Sequence, residues 1–249
     1  MLEMISQPGF WVSVSQIILI DILLGGDNAV VIALACRRLP VEQRKKAVFW
    51  GTFGAVGLRI LLLFFAVLLL KVSFLKIVGG LLLLWIGVRL LLPHPDEGDH
   101  GIASSTHMMA AIKTIVVADA VMSLDNVVAV AGAAKDNLTL IVFGVLISVP
   151  IILWGSQLVL KLMDRFPVII TLGAALLGYI AGQMIASDIA TKPWIDANAP
   201  WLYYALPIIG ALLVVTLGLL LQRKKTQSQA LSGLAAAGPK DAAGRDKVN

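Results

Sequence analysis

Two stretches of apolar sequence carry the same acidic and amide residues at the same spacing. DILLGGDNAV begins at Asp21 and DAVMSLDNVV at Asp119, so both hold the pattern D-x5-D-N: Asp21, Asp27 and Asn28 in the first, Asp119, Asp125 and Asn126 in the second. The two sets stand 98 positions apart at all three places, which marks an internal repeat. An Asp at the centre of a membrane helix costs roughly 2.5 to 3.5 kcal/mol, so four oppose insertion by on the order of 10 kcal/mol unless paired or hydrated. Carboxylate and amide oxygens are hard ligands. With no His inside an apolar run and no Cys beside either motif, they suit Mg²⁺, Ca²⁺ or Mn²⁺ rather than zinc or copper. Met122, three residues before Asp125, is close enough on a helix to add a thioether, which slightly favours Mn²⁺ over Mg²⁺, but it reads more readily as packing.

The spacing limits what one motif can do alone. Six positions on a straight helix rise about 9 Å and turn through about 600°, so Asp21 and Asp27 cannot converge on a single ion. Gly25 and Gly26 precede Asp27, and two glycines at about 1 kcal/mol each of lost helix propensity predict either a local unwinding that frees carbonyl ligands or close helix packing. Ser123 and Leu124 stand there in the second motif, where a break is less expected. Arg59 is a further charge within an apolar run. It must find a partner, and the motif carboxylates are the candidates. Such a pair either competes with an incoming cation or ties the structure together. His94, Asp96, Glu97, Asp99, His100 and His107 fall in a Pro- and Gly-bearing stretch that reads as a solvated linker or as a metal-capturing loop.

The elements that position these residues follow from composition. Of 249 residues 59% are hydrophobic and 14% charged, with a mean hydropathy of +0.90, so most of the chain faces lipid or itself. A single Cys, Cys36, excludes an internal disulfide framework. The first 20 residues hold Glu3 and no basic residue, so they read as a retained first span rather than a cleaved signal peptide. Apolar runs of about 20 residues fall near 11–34, 47–70, 73–92, 108–134, 138–162, 167–187 and 201–222. The fold expected is all-α, a polytopic membrane bundle of seven transmembrane helices; barrel strands would alternate, and these runs do not.

Basic residues orient that bundle. Arg37, Arg38, Arg44, Lys45 and Lys46 follow the first run, while Arg89, Lys113, Lys161, Arg165, Arg223, Lys224 and Lys225 fall on the same side by alternation. That side should be cytoplasmic, with the N-terminus outside and the C-terminus cytoplasmic. The +5 net charge is thereby explained by topology, and nothing points to nucleic acid. Each repeat then spans three helices, an odd number, so the two motif helices run antiparallel in an inverted 3+3 repeat plus one extra helix. The expected divisions are 1–92 for the first repeat, 93–107 for a polar cytoplasmic linker, 108–187 for the second repeat, 188–222 for the seventh span with its preceding loop, and 223–249 for a disordered cytoplasmic tail. Phe49-Trp50-Gly51 against Val142-Phe143-Gly144 extends the repeat beyond the motifs.

DILLGGDNAVVIALACRRLP and DAVMSLDNVVAVAGAA resemble the paired signatures of the TerC family of bacterial integral membrane proteins, in its shorter seven-span branch. The resemblance covers roughly 11–222. It implies residence in the bacterial inner membrane and efflux of manganese from the cytoplasm. It also implies that Asp21, Asp27, Asp119 and Asp125, completed by Asn28 and Asn126, are the functional polar residues. The expected protein is therefore a secondary transporter, not an enzyme, with a divalent ion as substrate, no cofactor, the lipid bilayer as its setting and protons as candidate counter-ions. Asp27, Asn28, Asp125 and Asn126 are the expected central ligands, with Asp21 and Asp119 as gate or proton-relay groups. Export of an amino acid or another small solute, a non-transporting scaffold or assembly factor, and an intramembrane aspartyl protease are the alternatives.

Overall fold

The computed structural model describes residues 8–69, 71–92, 102–134 and 138–236. Within them the side chains at 8–9, 13, 20–24, 66–67, 102–106, 125, 127–134, 138–141 and 225–236 lie outside the description. Among the described residues there are nine α-helices and no strand: α1 Pro8–Cys36, α2 Val41–Phe64, α3 Ala66–Leu69, α4 Leu75–Leu91, α5 Ile102–Ala134, α6 Leu138–Arg165, α7 Val168–Ala186, α8 Lys192–Asn198 and α9 Leu202–Ala236.

Five stretches are helical, long and apolar enough to cross a membrane: Val41–Phe64, His107–Leu124, Val142–Arg165, Val168–Ala186 and Leu202–Lys224. The two further spans expected at 11–34 and 73–92 meet that description only in part. In α1, a single helix of 29 residues, the described apolar stretches are Phe10–Leu19 and Gly25–Cys36, on either side of the side chains at 20–24 that lie outside the description. Helix α4 has 17 residues, about 25 Å at 1.5 Å per residue against roughly 30 Å of hydrocarbon. Other boundaries also shift. Helix α5 begins at Ile102, within the expected linker, and α9 continues to Ala236, past the end of its apolar run. The residues after Lys225, TQSQALSGLAA, contain no Pro and several good helix formers, so nothing stops the helix where hydrophobicity ends. The connection after α2 holds the short helix α3.

Packing follows small residues. A Cβ at Gly51 of α2 would stand 2.6 Å from the Ile115 side chain of α5, and one at Gly144 of α6 would stand 2.3 Å from that of Ile17 in α1. Each glycine thus admits an isoleucine that lies four residues before a motif's first Asp. Along α2 and α5, Gly54 meets Val116 beyond the Gly51 contact, and along α1 and α6, Gly155 meets Ala29, so both pairs run in the same direction. Helices α4 and α7 run oppositely, Gly80 meeting Ala181 and Gly87 meeting Leu177. Helix α9 packs on α7 with Gly178 against Gly210 and Gly182 against Leu206, backbone to backbone. Such approaches are how apolar helices associate where no hydrophobic force separates protein from lipid.

Both ends of α4 are held by other segments. Asp188, just beyond α7 and 1% exposed, accepts backbone N–H groups from Phe74 at 3.0 Å and Ala190 at 2.8 Å on Oδ1, and from Lys76 at 3.0 Å and Ile77 at 3.4 Å on Oδ2. Phe74, the N-cap, has φ 68°, a left-handed conformation unfavourable to a bulky residue and stabilised here by its bond to Asp188. At the other end, Arg37 Nη2 donates to Leu90 O at 2.9 Å, and Arg38 donates to Leu91 and Leu92 carbonyls. A carboxylate at the helix N-terminus and guanidinium groups at its C-terminus both complement the macrodipole. Arg44 Nη1 pairs with Asp164 Oδ2 at 2.7 Å, tying the start of α2 to the end of α6. Burial acts to raise the Asp188 pKa, but its four N–H donors outweigh that and hold it below the usual carboxylate value. Its contribution to stability is therefore complete above that range and lost as the pH falls through the depressed folded value. Asp188→Ala, which strands these donors, should cost at least about 2 kcal/mol, read as a lower unfolding temperature in detergent at neutral pH. An unchanged temperature would show that the donors find other acceptors.

Candidate functional site

The polar residues of the membrane region gather from α1, α2 and α5. Helix α1 contributes Asp27 and Asn28. Asn28 is 2% exposed, and among the described residues neither its amide oxygen nor its amide nitrogen has a hydrogen-bond partner; Asp27 Oδ1 is likewise buried without one. Helix α2 contributes Thr52, buried with an unpartnered hydroxyl, and Arg59, seven residues on and hence on nearly the same face. Helix α5 contributes Asp119, Met122, Ser123 and Asn126, the first three buried.

Arg59 and the second motif form a bonded triad. Arg59 Nη2 donates to Asp119 Oδ1 at 2.6 Å, and Arg59 Nε donates to Ser123 Oγ at 3.0 Å. Ser123 Oγ in turn donates to Asp119 Oδ2 at 3.3 Å. The hydroxyl can accept from one partner and donate to the other because it has both capacities. Ser123 meets Asp119 because the two are four apart on one helix. Asp27 lies within electrostatic reach of both Arg59 and Asp119, so the first motif joins the same polar region. The expectation that Arg59 pairs with a motif carboxylate is met at Asp119.

Other expectations change. Helix α1 is continuous through Gly25 and Gly26, with no glycine at positive φ among the described residues, so the unwinding that was one of the two readings of these glycines does not occur. The tertiary contacts of α1 outweigh a propensity loss of about 2 kcal/mol for the pair. Gly26 is exposed, and a Cβ there would meet nothing within 4 Å, so close packing does not explain it either. Met122 sits in the main hydrophobic cluster with Ile115, Ala118 and Val121, which accounts for it as packing. The side chains of Asp21 and Asp125, and residues 94–100 of the His-containing stretch, lie outside the described residues. Among the described residues no group of three or more His, Cys, Asp or Glu could hold a metal ion. Ser123 and Thr52 were not singled out by the motif; the available signal was a small hydroxyl residue on the stripe that buries a charge.

A helical membrane protein that buries an ion pair and leaves amide and carboxylate atoms unpartnered beside it belongs to the class of polytopic proteins with an intramembrane polar site. The integral membrane protein TerC family matches residues 6–226, and the chain belongs to that family. Bacillus subtilis YjbE, an uncharacterised membrane protein, is 48% identical over 179 residues, covering 72% of this chain and 81% of its own length. YceF of the same organism is 26% identical over 193 residues, 74% of this chain and 75% of its own. The Escherichia coli inner membrane protein YgdQ is 23% identical over 236 residues, 88% of this chain and 97% of its own. No solved structure matches it. The chain is an integral, multi-pass membrane protein.

A buried polar group without a partner destabilises the protein that carries it, by roughly 1 to 3 kcal/mol. Asn28→Leu and Thr52→Val should therefore each raise the unfolding temperature of the ion-free protein, Asn28→Leu by the equivalent of about 1 kcal/mol or more. A lower temperature in both would show that these atoms are satisfied in solution.

Proposed function

We propose that the protein is a secondary transporter that exports a divalent metal ion from the cytoplasm, with Mn²⁺ as its main substrate. The observation that carries this reading is the Asp27–Asn28 pair, in which Asp27 Oδ1 and the Asn28 amide oxygen stand buried without a partner among the described residues, inside the bilayer-spanning part of the chain. Such atoms are hard ligands awaiting a hard cation. The family resemblance supplies manganese and the outward direction. Asp125 and Asn126 are proposed as the matching ligands from the second motif, with Asp21 as a gate or proton-relay carboxylate. No nucleotide-binding motif occurs in the sequence, so an ion gradient, protons foremost, is the proposed driving force.

Seven spans arranged as an inverted 3+3 repeat with one extra helix are part of the proposal. In its favour, α1 pairs with α6 as α2 pairs with α5, and the Gly144–Ile17 and Gly51–Ile115 contacts exchange under the repeat. Helices α4 and α7, third in each unit, run oppositely, as inversion requires. The basic residues at 37–46 support a cytoplasmic first loop and an external N-terminus. For an aspartyl protease, two Asp would share a proton; Asp119 instead accepts from Arg59 and Ser123, which disfavours that alternative. Export of an amino acid or another small solute would need a wider cavity than paired carboxylates and amides on packed helices suggest, and a scaffold would gain nothing from orphaned amide atoms.

The experiment is Mn²⁺ flux into proteoliposomes containing a quenchable fluorophore under an imposed pH gradient. The wild type should conduct, and Asp27→Asn and Asp125→Asn should each lose at least tenfold, because a neutral amide replaces a charged ligand on a dehydrated ion (on the order of a few kcal/mol). Full flux in both variants would remove the motifs from the pathway. A folded wild type silent toward Mn²⁺, Mg²⁺ and Ca²⁺ would overturn metal transport.

A further inference from the structure

Asp27 and Asn28, at the second and third polar positions of the first motif, and Asp119, at the first polar position of the second, are in unlike states. In the first, Asp27 Oδ1 and both polar atoms of the Asn28 side chain lack partners. In the second, Asp119 is engaged on both oxygens, by Arg59 at 2.6 Å and Ser123 at 3.3 Å. The guanidinium lies on α2, and its carboxylate and hydroxyl partners lie on α5, so a cation of the first unit occupies a carboxylate of the second. The position matching Arg59 in the second unit falls at Pro150 to Ile152, which carries no charge. The position matching Ser123 in the first is Gly25, which has no hydroxyl. The clamp is therefore a one-sided addition to a two-sided plan.

We propose that Arg59 is a resident counter-cation that an incoming divalent ion must displace from Asp119, and that Ser123 is the positioning residue that sets how firmly it is held. This rests on the transport reading above. A doubly charged ion at Asp27 and the Arg59 guanidinium are attracted by the same carboxylates and repel each other, and Asp27 is within electrostatic reach of both members of the pair. The two cations therefore exclude one another at the site, and the coupling is reciprocal. Displacement needs no helix movement at first, because an Arg head sits on a long flexible stem. The apparent affinity for the ion is lowered by the fraction of molecules in which the clamp is closed. Ser123 tunes that fraction, since its hydroxyl bonds both the guanidinium and the carboxylate without adding charge.

A static strut and a displaceable clamp predict opposite signs. Mn²⁺ binding to the full-length protein in nanodiscs, measured by calorimetry, is compared in wild type, Ser123→Ala, Ser123→Thr and Arg59→Met. Removing one net hydrogen bond from the clamp should tighten Mn²⁺ binding in Ser123→Ala by roughly two- to tenfold, with Ser123→Thr returning to the wild-type value. Arg59→Met should bind tighter still and release poorly, so its maximal flux falls while its half-saturating concentration drops. Unchanged or weaker binding in a folded Ser123→Ala overturns the proposal and leaves Arg59 a structural tie. Where Arg59→Met fails to fold because Asp119 is stranded, Ser123→Ala decides alone. A wild type that binds no Mn²⁺, Mg²⁺ or Ca²⁺ overturns the transport reading and the clamp with it, an outcome distinct from a wild type that binds and a Ser123 variant that does not differ.

Discussion

A cation buried among apolar helices has to be neutralised where it lies, and the arrangement of α2 and α5 answers to that requirement at Arg59. Arg59 is 3% exposed, and breaking a buried pair by removing one partner costs about 3 to 5 kcal/mol, because the other charge is left uncompensated. The Arg59–Asp119 contact therefore fixes the register of two helices more firmly than their methyl contacts do. Gly51 and Gly54 permit the approach by admitting Ile115 and Val116. Ser123 then lies one turn from Asp119, where its hydroxyl completes the pair.

The same accounting separates structural polarity from functional polarity. Asp188 and Arg44 are engaged by several donors or acceptors at the helix ends, and each ties an element in place. Asn28 and Asp27 do the reverse, holding polar atoms in the interior with no protein partner. A protein under selection for stability alone would replace Asn28 by Leu, so its presence in the apolar stretch Gly25–Cys36 argues for a guest. A polar region left incomplete at mid-helix, braced by complete ones at the ends, suits a protein that must bind an ion and let it go.

Much of this was legible from residue types. Seven apolar runs, a repeat of D-x5-D-N, a lone Arg59 and a family signature led to an all-helical membrane protein with a polar centre. The misjudgements were of local conformation and of length. Gly25 and Gly26 lower helix propensity, yet α1 runs through them, because tertiary contact on both sides outweighs about 2 kcal/mol. Hydropathy ends at 222, yet α9 reaches Ala236, since helix formation depends on backbone and side-chain propensity as well as on lipid. Ser123 stands in sequence where the first motif has a glycine, and its role comes from its hydrogen bonds to Arg59 and Asp119.

Sequence by itself determined the setting and the candidates: apolar length specifies helices in a bilayer, and a charge in such a helix is costly enough to be conspicuous without any coordinates. What only the tertiary structure decided was partnership. Arg59 could have met any of the motif carboxylates, and it meets Asp119. Asn28 could have been a satisfied core amide, and its polar atoms are unpartnered. Periodicity places a side chain on a face of its own helix, but which neighbour stands opposite depends on crossing, register and direction, and these arise from contacts between residues such as Ile17 and Gly144, far apart in the chain.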